Sequence, residues 1–208
     1  MEKAISTHDQ LKEIKQNLRL LMNGITSHSM RNKGLEYKLN WGASVLHLRE
    51  MAEEYGKNHE LALLLWKENI RECKILATII MPPAEMSTSQ CEQWADEMAS
   101  IEIAELCSMN VFQHVENANE MAFRWIESGD FYRRICGFHI LSRLFMRGWV
   151  PDKCQIETYF NRAFEALKDE SVSIRHAANS SLLHFASLGE DLEKQVEIAA
   201  KSNHLELF

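Results

Sequence analysis

Four arginines stand close together with no acid among them. They are Arg133 and Arg134, which close the run Arg124-Trp125-Ile-Glu-Ser-Gly-Asp130-Phe-Tyr-Arg133-Arg134, followed by Arg143 and Arg147. Residues 131–150 therefore carry a net charge of +4. A guanidinium is planar and always charged, and its donor fork matches the oxygens of a phosphate. On a helical projection Arg143 and Arg147 fall within about 80° of Arg133, so the spacing predicts a basic stripe able to hold a phosphate backbone. The same residues have a structural reading, because an arginine just after a capping aspartate commonly forms a salt bridge at a helix start.

Other chemistries have less support. Cys136-x-x-His139 puts two potential ligands on one helix face, but no second ligand pair accompanies them, so no metal is expected. The five cysteines (Cys73, Cys91, Cys107, Cys136 and Cys154) are odd in number and widely spread, without a C-x-x-C pair. On apolar helix faces they read as small buried hydrophobes. No H-E-x-x-H, phosphate-binding P-loop, dinucleotide glycine pattern or G-x-S-x-G elbow is present, and no cofactor is expected.

Composition bounds the class. The 208 residues are 46% hydrophobic and 25% charged, with three prolines and eight glycines. That scarcity of breakers, with abundant Leu, Ala, Glu, Lys and Met, favours helix over sheet. The N-terminus has neither a basic region nor an apolar one of signal-peptide type, and no apolar run reaches the length of a membrane span. A cytoplasmic protein with no membrane partner is the expectation. The net charge of -7 weighs against nucleic acid, yet it is uneven. Residues 84–130 hold ten acids and one base, whereas residues 1–50 hold eight bases and five acids. A basic groove with an acidic back fits that distribution.

The elements that would position these groups are helices. Apolar periodicity and turn residues predict ten or eleven of them. The first runs from Asp9 to about Met22, with Thr7-x-x-Gln10 as a capping box. Gly24 to Gly34 reads as a polar connector. Helices follow from Ser44, Asn58, Asn69, Ser87, Ile101 and Asn117, the last opening on Asn117-x-x-Glu120. Asp130 caps a helix to Arg147 that is apolar on two sides, as suits an interior position. Three more helices follow Pro151. Trp66, Trp94 and Trp125 belong to apolar faces and are expected in the core, whereas Trp41 and Trp149 lie beside loops and are the better candidates for exposed contacts. Leu61-Ala-Leu-Leu-Leu-Trp66-Lys-Glu-Asn-Ile-Arg71-Glu72 and the Trp125–Arg134 run share one plan: a Trp-bearing helix end, a short polar connector, then Arg at the next helix. Helix pairs that recur in this way define an α-solenoid. An all-α, HEAT-like α-solenoid forming one domain over residues 1–208 is expected.

The order of motifs is more specific than any one of them. Gly42 precedes Leu48-Arg49-x-x-Ala52, then Leu61-Ala62-x-x-Leu65-Trp66, then Arg71-Glu72-x-x-x-Leu76-Ala77, then Trp125-x-x-x-x-x-Phe131-x-Arg133-Arg134. Over about residues 39 to 185 this order resembles the DNA alkylation repair family, the AlkD-like DNA glycosylases. The resemblance implies HEAT-like helix pairs that bind duplex DNA in a concave face. It also implies release of N3- or N7-alkylated purines, helped by a carboxylate and aromatic faces beside the cationic sugar.

The resemblance places the catalytic carboxylate at Glu105, where the family has aspartate, and one aromatic wall at Ile101, where the family has tryptophan. A second family tryptophan falls near Asn179-Ser180. The family's backbone-contacting arginine corresponds to Arg134, with Arg133 beside it. Three readings follow. The first is a DNA-binding protein of this family whose excision activity is weak, altered or lost. The second is an active 3-methyladenine/7-methylguanine glycosylase using Glu105. The third is a HEAT-like scaffold for a protein partner, without DNA binding. Double-stranded or structured DNA is the expected partner, bound by a monomer.

Overall fold

A computed structural model describes residues 6–204. Twelve α-helices and two 3-10 turns account for most of these residues, and the described residues contain no strand beyond a lone parallel bridge, Leu39 to Ile70. None of the described helices is long and apolar enough to cross a membrane. The chain divides between Leu106 and Cys107 into two compact units, and each is described in turn.

The first unit holds α1 (Thr7–Leu20), α2 (Gly24–Asn32), α3 (Val45–Tyr55), α4 (His59–Lys67), α5 (Arg71–Ile80), α6 (Thr88–Asp96) and the start of α7 (Ile101–Asn110). Leu61, Ala62, Leu65 and Trp66 bury one face of α4, while α5 is buried nearly all round, as an interior helix must be. Contacts recur at a fixed interval. Trp66 Nε1 donates to Glu97 at 2.7 Å, His59 meets Gln90 at 3.2 Å, and Arg71 Nε donates to Glu102 at 2.7 Å. Each pair is separated by 31 residues. A constant offset means that successive helix pairs stack in one register, which is the definition of a repeat array. Trp66 and Trp94 stack at 3.9 Å within the same layer.

The second unit holds α8 (Ala118–Ile126), α9 (Phe131–Met146), α10 (Lys153–Ala166), α11 (Val172–Ala186) and α12 (Glu190–Ser202). Helix α9 packs against α8 on one side and α11 on the other, as its two apolar arcs require. Gly137 permits the close approach to α8: a Cβ there would lie 2.8 Å from the Ile126 nitrogen and 2.9 Å from the Ala122 carbonyl. Phe145, Tyr159, Phe160 and Phe185 form an aromatic core, inside which the Tyr159 hydroxyl donates to Ser181 at 2.9 Å.

The helix starts explain most boundaries. Ser44, Asn58, Ser87, Asp130, Asp152 and Ser171 each accept a backbone N–H from the first turn. Three expectations change. The α1 cap is Ser6, which accepts from Asp9 N, and Thr7 instead donates to Glu60 at 2.9 Å. Asn117 precedes α8 in the left-handed region at φ 57°, and its side chain makes no capping bond. The expected connector from Gly24 is helix α2, capped by Asn23. Trp66, Trp94 and Trp125 are buried, and Cys154 is the exposed cysteine.

Candidate nucleic-acid interface

Asp130 sets the start of α9. Its carboxylate accepts the Arg133 backbone N–H at 2.8 Å and lies 4.0 Å from the Arg133 guanidinium. The Arg134 guanidinium reaches Asp169, just before α11, at 2.7 Å. The Ser171 N–H donates to the same carboxylate, and together with Arg134 it holds Asp169 below the ordinary carboxylate range. The Arg134–Asp169 pair has the form of Arg71–Glu102 in the first unit: arginine near one helix start, acid near the start of the helix after next. In this structure Arg134 therefore joins two repeats.

The later arginines differ. Arg143 is half-buried, and its guanidinium makes no hydrogen bond or ion pair with any described residue. Arg147, one turn on, donates to the Gln113 carbonyl at 2.8 Å and meets His114 Nδ1 at 3.1 Å. Both acceptors are neutral or weakly basic groups, and no carboxylate pairs with Arg147. Thus α9 and its C-cap carry all four predicted arginines, two near carboxylates at the helix start and two without one at its end. Glu105 belongs to the first unit and is exposed on α7, between the buried Ala104 and Leu106. Ile101 is 36% exposed on the same helix. Asn179 and Ser180 are half-buried on α11.

Periodicity alone does not reveal the row between α9 and α11. Ser142 Oγ and His184 Nδ1 lie 2.8 Å apart, so the two helices run in parallel register from the Arg134–Asp169 pair onward. His139 stands in this row beside His176 and Arg143. Burial, then the nearby His176, then Arg143 push its pKa down to about 4. The only sequence signal for His139 was Cys136-x-x-His139. Burial raises the Cys136 thiol to about 12, far from the thiolate a metal requires. Among the described residues no group of three or more metal-ligating side chains occurs.

The histidine makes a testable prediction. Its folded pKa lies below the ordinary value of about 6.5. The unfolded chain therefore takes up a proton that the native state refuses as the pH falls from about 6.5 toward 4. Stability from this group is complete above that window and declines within it, by roughly 2–3 kcal/mol. Urea unfolding at about pH 7 and about pH 4.5 should show this loss, and His139→Gln should remove that part of the slope.

These features define a HEAT-like helical array with a basic segment at α9. The model for the family described as "DNA alkylation repair enzyme" matches residues 14–196, and the chain belongs to that family. An uncharacterized protein of Listeria monocytogenes is 28% identical over 205 residues, covering 94% of this chain and 86% of its own. One from Listeria innocua is 27% identical with the same coverage. A solved structure superposes with a TM-score of 0.79 at 20% identity, covering 91% of this chain and 81% of its own. It is described as representing a new family of proteins related to the HEAT-like repeat DNA glycosylases with affinity for branched DNA structures.

Proposed function

We propose that this protein binds double-stranded or branched DNA through the arginines of α9, as a cytoplasmic monomer, and that its base-excising activity is weak, altered or lost. The observation that carries the reading is the pair Arg143 and Arg147, which lack carboxylate partners on a helix segment with no acid. A protein surface keeps unneutralised guanidinium groups in line at an electrostatic cost, and a phosphate backbone removes that cost. Arg133 extends the same helix face, whereas Arg134 projects from the opposite side to Arg143 and would have to share its donors between Asp169 and a phosphate. Family membership supports DNA as the partner. The affinity for branched DNA described for the structural neighbour makes branched substrates the first to test.

The reading of reduced excision rests on three positions. Ile101 and the Asn179-Ser180 pair offer no aromatic face, which forgoes cation–π help of ~0.5–2 kcal/mol at each place. Glu105 carries its carboxylate on a longer stem, and a displacement of about an ångström costs ~10²-fold in rate. The test is purified protein against methylated duplex and branched DNA at low salt, scored for binding and for free 3-methyladenine and 7-methylguanine. Binding with release at the level of the protein-free control is expected. Release above that control would establish an active enzyme, and Glu105→Gln should then abolish it while leaving binding intact. Neither binding nor release would overturn the DNA reading in favour of a protein-binding scaffold.

A further inference from the structure

A cavity of about 290 Å³ opens in the second unit between the end of α9 and the start of α8. Arg147, His114, Gln113, Asn117, Asn119 and Trp149 line it, and no carboxylate does. Arg147 uses two of its five N–H donors on Gln113 and His114, which leaves three donors and a full charge in a fixed place. Trp149 is half-buried. Its ring runs parallel to Phe145 at 6.0 Å, and Phe123 meets it edge-on at 6.5 Å, so its plane is fixed as well.

The contents of this cavity match the parts of one nucleotide. A held guanidinium suits a phosphate. A fixed indole gives a base a surface to pack on, and side-chain amides can donate to and accept from a base edge. The volume is at the lower end of small-ligand sites and is far too small for a base pair. We propose that this cavity takes a single unpaired nucleotide of DNA, with the phosphate on Arg147 and the base against Trp149. The proposal rests on the DNA-binding reading and gives it a specific partner, because branch points and strand ends expose unpaired nucleotides and an intact duplex does not.

The test titrates the full chain with short oligothymidylate and, separately, with a fully paired duplex. Two variants are compared with the parent. Trp149→Leu removes the packing surface. Asn119→Asp places a negative charge in the cavity, and because it sits in the first turn of α8 the acid also favours the helix. Both variants are expected to bind oligothymidylate about tenfold or more weakly. Trp149→Leu should keep duplex affinity to within about twofold, which also reports that it folds, whereas the Asn119→Asp charge also faces Arg147 and should weaken duplex binding as well. Oligothymidylate bound equally by parent and both variants would overturn the site. Duplex binding without any oligothymidylate binding by the parent would overturn it too, and leave the DNA reading standing. Binding of neither would overturn both.

Discussion

Arg71→Met is expected to destabilise the protein by about 3–5 kcal/mol. Arg71 is 2% exposed and Glu72 is fully buried. The Glu72 carboxylate accepts the backbone N–H groups of Trp41, Gly42 and Ala43 at 3.2, 2.9 and 3.2 Å, and Arg71 lies 3.2 Å from it. Arg71 also donates to the Ala43 carbonyl at 2.9 Å and holds Glu102 through two nitrogens. Methionine fills a similar volume but leaves a buried carboxylate without its counter-charge, which is far more costly than never having buried the pair. The loss should appear as a lower urea midpoint at unchanged slope. Glu72→Gln added to Arg71→Met should recover a large part of it, because the second change removes the stranded charge. Glu102→Gln alone should cost only about 1 kcal/mol, since that carboxylate is partly solvated. A loss below about 1 kcal/mol in Arg71→Met would show that Glu72 does not depend on this counter-charge.

The second large effect concerns binding. Duplex affinity should fall about ten- to hundredfold between roughly 50 and 200 mM salt. This follows from two to four phosphate contacts at a slope of about -0.9 each. The lower figure applies if only Arg143 and Arg147 engage, and the upper if Arg133 and Arg134 join them. Arg143→Ala and Arg147→Ala should each flatten the slope by about one unit and weaken binding across sequences. Arg134→Ala should flatten it less, since its guanidinium is shared with Asp169, and should lower stability instead. Slopes that none of the four substitutions changes would place the DNA surface elsewhere.

Much of this protein was legible from local pattern. Asp130 caps α9 as its position before an apolar helix implies, and the three face-centred tryptophans are buried. The order of Leu-Ala-x-x-Leu-Trp and Trp-x-x-x-x-x-Phe-x-Arg-Arg is enough to suggest the family, because it reflects how each helix pair must present its apolar face to the next. Helix α2 escaped notice because it has no apolar stripe. Ser27 is its one buried residue and Ile25 is exposed. Its place comes from the Asn23 cap, from Ser27 Oγ donating to the Asn40 carbonyl at 2.6 Å, and from Gly42, where a Cβ would meet the Asn23 carbonyl at 2.5 Å.

The same division holds for charge. The sequence alone determined that residues 131–150 carry four arginines and no acid. Only the tertiary structure decided which of them are paired, because Arg71 finds Glu102 and Arg134 finds Asp169 across 31 and 35 residues of chain. A helical repeat fixes angles within one helix, through bonds three or four residues apart. The register between neighbouring helices depends on side-chain packing, and that register sets Arg134 against a carboxylate while Arg143 has none.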